Sequence, residues 1–162
     1  MAPRQMRDVE PAPDPATDDA VELGDLADTE ALARRTAAAL PPGALLLLDG
    51  PLGAGKTTFV AALAAAWGSE AQVTSPTYTL VHEYPTPHGV LVHVDAFRLP
   101  DGVDLDAALD VDAYRARARA VVVEWGDRWP QAHRDAWRLR IERRGERRRA
   151  RWTAGPAPGD EP

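Results

Sequence analysis

The sequence predicts an α/β fold in which a mostly parallel sheet, flanked by helices, is closed at one edge by a C-terminal antiparallel hairpin. Three observations carry that expectation. Short continuous apolar runs, ALLLLD (44–49), VLVHVD (90–95) and AVVVEW (120–125), have the pattern of strands buried on both faces. Segments of helical character separate them, the alternation that parallel sheets with crossover helices require. Finally, WRLRIERRGERRRARWT (137–153) alternates around Gly145 with Trp137, Leu139, Ile141, Ala150 and Trp152 on one face, as a hairpin does.

Taken in chain order, residues 1–20 are rich in Pro, Asp and Ala and poor in large apolar side chains, which reads as a disordered acidic arm. DTEALARRTAAAL (28–40) opens with Asp28 and Thr29, either able to cap a helix that carries Leu32 and Leu40 on one face. The first buried strand, ALLLLD, follows PPG. FVAALAAAWG (59–68) is an alanine-rich helix ending near Gly68. DLDAALDVDAYRARA (104–118) reads as helical between the second and third apolar runs. GPAPGDEP (155–162) resembles the N-terminal arm in composition, which leaves 21–154 as a single domain.

Length and composition agree with one compact unit. The chain has 162 residues, 44% of them hydrophobic, enough for one core. Cysteine is absent, so disulfides and thiolate metal sites are excluded and any metal must be held by oxygen or histidine. No run reaches the roughly 18–20 apolar residues of a membrane span, and no signal-peptide pattern opens the chain, so a cytoplasmic protein without a membrane role is expected. The net charge of −6 is unevenly spread. From Arg134 to Arg151, nine arginines face only Asp135, Glu142 and Glu146, a local +6 that leaves −12 for the remainder.

Among 19 basic residues there is one lysine, Lys56, and it sits in GPLGAGKTTF (50–59). Gly50, Gly55, Lys56 and Thr57 fit the pattern G-x-x-x-x-G-K-[ST], placed after an apolar strand and before a helix as its mechanism needs. Gly53 and Gly55 let the backbone curl so that its N–H groups, with that of Ala54 between them, face phosphate oxygens, and the helix N-terminus adds a positive field. Lys56 reaches the outer phosphates as a flexible point charge, a task that arginine's planar fork fills poorly. Thr57 offers a hydroxyl to Mg²⁺, and Thr58 can reach an inner phosphate. The expectation is a three-layer P-loop NTPase-like fold that binds a nucleotide.

Hydrolysis needs acids. Asp95 closes one buried run and Glu124 another, and parallel strands end on the same side, where such sheets bind ligands. Between the glycine loop and Asp95 lies TSPTYTLVHEY (74–84), where Pro76 biases Ser75 toward an extended backbone and leaves Thr77 and Thr79 as hydroxyls on a connection that a γ-phosphate could order. An ordinary loop followed by an edge strand is the alternative.

GPLGAGKTTF, SPTYTLVHEY, HVDAFRL (93–99) and VVVEW, in this order and spacing, closely resemble the TsaE family, also called YjeE, from about Thr29 to Trp125. The resemblance implies a P-loop ATPase that hydrolyses ATP with Mg²⁺ in support of the TsaB-TsaD pair, which transfers threonylcarbamoyl to the adenosine beside the anticodon of tRNAs reading A-starting codons. It implies that Lys56 and Thr57 serve ATP and Mg²⁺, that Ser75, Thr77, Tyr78 and Thr79 belong to a switch, and that Asp95 and Glu124 are the functional acids, with Glu124 on the metal side. Thr29 matches a position near the nucleotide. Phe97 stands where the family usually has tyrosine, and Pro51 where many relatives have aspartate.

Rival readings differ in a few residues. A small-molecule kinase would use the same loop with Arg115, Arg117 and Arg119 as lid arginines, and a non-hydrolysing scaffold would bind ATP without releasing phosphate. A GTPase is disfavoured, because its N-K-x-D motif needs a lysine and the only one is at position 56. In the hairpin, Arg138, Arg140, Arg147, Arg149 and Arg151 share the face opposite Trp137 and Trp152, either a solvated face or a stripe for tRNA phosphates. No aromatic side chain interleaves with them, so stacking on bases is not expected.

Overall fold

The computed structural model describes residues 20–74, 79–129 and 135–154. Of the expected arm at 1–20, residues 1–19 lie outside the described residues, as does the tail at 155–162. A seven-stranded sheet has the order β1-β7-β6-β2-β5-β4-β3. Its centre is parallel: β2 (Ala44–Asp49) pairs with β5 (Ala118–Glu124) and β6 (Trp137–Arg144), and β4 (Gly89–Asp95) pairs with β5. The outer pairings are antiparallel, through β3 (Val81–Thr86) on one side and β7 (Arg147–Ala154) on the other. The hairpin β6–β7 forms as expected but is not the edge, because β1 (Val21–Leu23) pairs outside β7.

Burial of β2 on both faces explains its uninterrupted leucines. Leu46 and Leu48 join one core with Leu32, Phe59, Val60 and Leu63 from the helices α1 (Leu26–Ala39) and α2 (Lys56–Ala66). Leu45 and Leu47 face the opposite core with Val92, Val94, Leu105 and Val111, the last two from the short helices α3 (Leu105–Ala108) and α4 (Val111–Arg117). Each such leucine contributes about 1.5–3 kcal/mol of transfer free energy, so the alternation fixes three layers rather than two. Leu139, Ile141, Ala150 and Trp152 belong to the α1–α2 core, and Trp137 packs against it, which is the face expected for the hairpin.

Two helical expectations shift. Helix α1 begins three residues earlier than Asp28: Asp25 is its cap, its side chain accepts from Asp28 N at 3.0 Å, and the Asp28 carboxylate returns to Asp25 N at 3.3 Å. Asp28 is therefore the far half of a capping box. The 104–118 segment is two helices, because Asp104 and Asp110 each cap a new start and Leu109 between them is extended.

Candidate functional site

The glycine loop is shaped by what surrounds it. At Gly50 the chain leaves β2 with φ 144°, and a Cβ would stand 2.1 Å from Ile141 O of β6, so only glycine passes. Gly55 caps α2 with φ 103° and has no side chain to offer the first turn. The leading N–H groups of α2 thus open into a cleft of about 540 Å³ lined by Gly53, Gly55, Lys56, Thr57, Thr58, Asp95, Glu124 and Trp125, with Leu52, Phe97, Arg98 and Arg148 at its walls. Uncapped donors at a helix N-terminus, a lysine and a cleft of this size suit a nucleoside polyphosphate.

Lys56 is buried, and its ammonium donates to Gly50 O at 2.6 Å and Pro51 O at 3.0 Å. It also lies 3.9 Å from the centre of the Trp125 ring. Burial pulls its pKa below the usual lysine value, while Glu124, Asp127, Asp95 and Asp49 pull it back up. The loop's own carbonyls hold the charge where phosphate oxygens could take over.

Strands β4 and β5 end together, with Asp95 in register with Glu124. Glu124 Oε1 accepts from Thr57 Oγ1 at 2.9 Å, and His93 Nε2 lies 2.9 Å from the same oxygen. With the carboxylate as acceptor the imidazole carries its proton on Nε2, and Nδ1 is a buried atom without a hydrogen-bond partner. Asp95 accepts from Phe97 N at 3.1 Å. Burial raises its pKa above the usual carboxylate value, the Phe97 N–H opposes that, and Glu124 adds to it. The donor set is a hydroxyl and two carboxylates, the hard oxygen chemistry that suits Mg²⁺.

Trp125 follows Glu124 with φ 63°, a backbone that costs a bulky residue about 1–3 kcal/mol. Its N–H donates to Leu48 O at 2.9 Å, which turns the ring over the glycine loop and against Phe97, 5.0 Å away between centres. Phe97, 55% exposed, and Leu52, 83% exposed, give the cleft an apolar rim.

Of the residues singled out from sequence, the cleft gathers Gly53, Gly55, Lys56, Thr57, Thr58, Asp95 and Glu124. Ala54 is buried within the loop, and Thr29 is buried in the first turn of α1, neither lining the cleft. Ser75, Thr77 and Tyr78 lie outside the described residues. Thr79 is exposed; its neighbour Leu80 accepts from Asp95 N at 3.1 Å, and the Tyr84 hydroxyl donates to Thr74 O at 3.1 Å. The residues flanking the expected switch are therefore tied to β3 and β4. Sequence reasoning gave His93 and Arg148 no role. The spacing of two between His93 and Asp95 was the available signal for the first.

The rival arginines sit elsewhere. Arg115 pairs with Asp135, Arg117 pairs with Glu83, and Arg119 donates to Leu40 O, all around α4 and the beginning of β5, far along the strand from Glu124. On the far face of the hairpin, ion pairs join Arg138 to Asp49, Arg140 and Arg144 to Glu142, and Arg149 to Glu22. Among the described residues, no helix is long and apolar enough to cross a membrane.

Comparison with known proteins places this architecture in a family. The family model for Threonylcarbamoyl adenosine biosynthesis protein TsaE matches residues 23–151. The tRNA threonylcarbamoyladenosine biosynthesis protein TsaE of Streptomyces coelicolor is 42% identical over 115 residues, 69% of this chain and 77% of that one. Its counterpart in Aquifex aeolicus is 50% identical over 76 residues, 46% of this chain and 57% of its own length. The crystal structure of Bacillus subtilis YdiB superposes with a TM-score of 0.68 at 30% identity, covering 85% of this chain and 86% of that one. With the glycine loop, the paired strand-end acids and the family match coinciding in one stretch of chain, the protein belongs to the TsaE family of threonylcarbamoyladenosine biosynthesis proteins.

Proposed function

We propose that this protein hydrolyses ATP with Mg²⁺ in the cytoplasm to support a TsaB-TsaD complex during threonylcarbamoylation of the adenosine beside the anticodon in tRNAs reading A-starting codons. The observation that carries the reading is the bond between Thr57 Oγ1 and Glu124 Oε1, which sets a hydroxyl and a carboxylate side by side next to Lys56. That is the arrangement a P-loop enzyme uses to seat a metal against the outer phosphates.

In this reading the N–H groups of the loop and the α2 N-terminus hold the phosphates, and Lys56 leaves the Gly50 and Pro51 carbonyls for the β- and γ-oxygens. Thr57 and Glu124 would hold Mg²⁺, which would supply charge neutralisation at the transferring phosphoryl group. Asp95, level with Glu124 on β4, orients the attacking water, and Thr58 steadies an inner phosphate. The bond formed is from water oxygen to the γ-phosphorus; the bond broken is from that phosphorus to the β-bridging oxygen, leaving ADP and phosphate.

The kinase reading would bring a second substrate to the cleft, and the three arginines it would use are engaged around α4 instead. A test is phosphate release from ATP and Mg²⁺ by the purified protein, with and without its own organism's TsaB-TsaD pair, with Lys56→Ala and Glu124→Ala as controls. Turnover that rises with the pair and disappears in both variants supports the proposal. No effect of the pair, together with phosphorylation of a small hydroxylated metabolite, replaces it with the kinase.

A further inference from the structure

The two faces of the sheet are covered unequally. On one, β6, β7 and β1 send Leu139, Ala150 and Leu23 into the core shared with α1 and α2. On the other, the core of α3 and α4 takes in no described residue of these three strands. Their outward positions are therefore left to polar side chains. Along β6 these are Arg138, Arg140, Glu142 and Arg144; along β7 they are Arg147, Arg149 and Arg151, and β1 adds Glu22 opposite Arg149. Six arginines against two glutamates leave +4 on one face of a protein whose net charge is −6.

The arrangement works against the hairpin's own stability. Arg144 lies directly opposite Arg147, and Arg140 directly opposite Arg151; like charges so placed destabilise a sheet. One carboxylate, Glu142, serves two of the four, accepting from Arg140 at 2.7 Å and from Arg144 at 3.5 Å. The face also lacks what a protein partner would bury. None of its outward strand positions from Arg138 to Arg151 holds an apolar residue, whereas protein–protein interfaces are depleted of charge at their centre and nucleic-acid interfaces are polar and strongly positive. Alternate residues of a strand stand roughly 6.5–7 Å apart, so the arginines form two parallel rows of guanidinium groups, each able to fork onto a phosphate. The rows run on past the glycine loop, because β6 last pairs with β2 at Arg140 and Asp49 and continues to Arg144.

We infer that the uncovered face of the β6–β7 hairpin is a tRNA-docking surface that holds the ribose-phosphate backbone through Arg140, Arg144, Arg147 and Arg151. The choice of tRNA rests on the proposed role in tRNA modification; the binding itself requires neither ATP hydrolysis nor a TsaB-TsaD pair. With no aromatic or amide side chain among the outward residues, the contacts are to phosphates rather than base edges, so binding is independent of sequence and weakens steeply with salt. The acidic remainder of the protein does not cancel the face, since charges are screened beyond about 8 Å at physiological ionic strength.

Fluorescence anisotropy of a labelled, unmodified tRNA transcript, repeated from about 50 to 200 mM NaCl, tests this on the full chain without nucleotide. The variants are Arg147→Gln, the triple variant Arg144→Gln/Arg147→Gln/Arg151→Gln, and Arg117→Gln, which removes the same charge from α4, off this face. Arg147→Gln is expected to weaken binding roughly threefold to tenfold and to lower the slope of log K against log[salt] by about 0.7–1. The triple variant loses roughly 30-fold or more and about two to three of slope, while Arg117→Gln stays within twofold of the parent. Arg147→Gln also melts at or above the parent temperature, because one of two opposed cations has gone, so lost binding is not lost folding. Affinity of the triple variant within twofold of the parent, an equal loss in Arg117→Gln, or no binding by the parent at the lowest salt overturns the inference. A poly-glutamate peptide that binds this face more tightly than tRNA overturns it in favour of an acidic protein partner. Absent phosphate release with tRNA binding intact removes the ATPase reading and leaves this surface in place.

Discussion

His93 and Glu124 meet across adjacent parallel strands, Nε2 to Oε1 at 2.9 Å, with the imidazole wholly buried. The same oxygen takes the Thr57 hydroxyl, so one carboxylate is held from two elements, β4 and α2. A side chain fixed in this way does not search rotamers when the ligand arrives, and partners of this outer kind are commonly worth 10- to 100-fold in activity.

On the proposed hydrolysis, His93 is a positioning residue for Glu124. His93→Ala is expected to lower kcat for ATP hydrolysis by about 10- to 100-fold while ADP affinity changes by less than about threefold. His93→Gln, which retains an N–H donor near the same place, recovers part of the loss. Steady-state phosphate release alongside ADP titration measures both, and an equal loss in kcat and ADP affinity would make the effect a general collapse of the site.

The proposed metal role of Thr57 predicts a sharper dependence on Mg²⁺. Removing its hydroxyl in Thr57→Ala takes away one proposed Mg²⁺ contact and leaves Glu124 without that donor. The expected outcome is a rate reduced by about 100-fold or more, of the size seen when one electrostatic contact to a transition state is lost, together with a higher Mg²⁺ concentration at half-maximal rate. Thr57→Ser keeps the hydroxyl and should retain most of the activity. A Mg²⁺ titration of phosphate release separates the two variants; an alanine variant with an unchanged Mg²⁺ requirement would remove Thr57 from the metal site.

Asp49 gives a pH signature of stability. It ends β2, Arg138 sits 3.4 Å from its Oδ2, and its Oδ1 is buried without a partner. Burial raises its pKa above the ordinary 3.8, Arg138 opposes this, and Asp127 adds to it. A carboxyl with a raised folded pKa favours the folded state when protonated, so its contribution is present below about pH 4 and is lost as pH rises through the raised value. Asp49→Asn removes that titration. The melting temperature of the variant relative to the parent should increase from pH 4 toward pH 7, in the nucleotide-free protein, and a difference independent of pH would contradict the burial argument.

Much of this was legible because burial writes itself into sequence. Leu45 to Leu48 read as a strand because both faces are covered, and Gly50 to Thr57 read as a phosphate loop because few residue types satisfy its backbone. The hairpin face was readable from alternation alone. Other features depend on partners far along the chain. Strand β1 has three residues and exists through pairing with β7, which no local pattern reveals. The contact of His93 with Glu124 depends on strand register, since His93 lies level with Val122 and reaches Glu124 diagonally. In 104–118, alanines favour helix throughout, and the interruption at Leu109 is decided by Asp104 and Asp110 each capping its own turn. The start of α1 moved for a similar reason: Asp25 and Asp28 both suit a cap, and only the reciprocal bonds choose between them.

Gly126 tests how tightly the turn after Glu124 is held. A Cβ there would stand 2.6 Å from Leu47 Cβ and 3.1 Å from Asp49 Oδ1. Leu47 lies in the sheet centre, paired with Val123 on one side and Arg138 on the other, so the strand cannot withdraw and the turn must move instead. That turn carries Trp125, whose ring covers the Lys56 ammonium. Gly126→Ala is expected to cost about 1–3 kcal/mol of stability, as overpacking of a well-filled interior does, and to lower the melting temperature by several degrees. Because Trp125 is displaced with the turn, ADP affinity should fall as well. Denaturant unfolding and ADP titration on the same preparation read the two effects. A variant as stable as the parent would mean that the Trp125–Arg128 turn is free to shift away from β2, and the αL backbone at Trp125 would then have lost its structural cause.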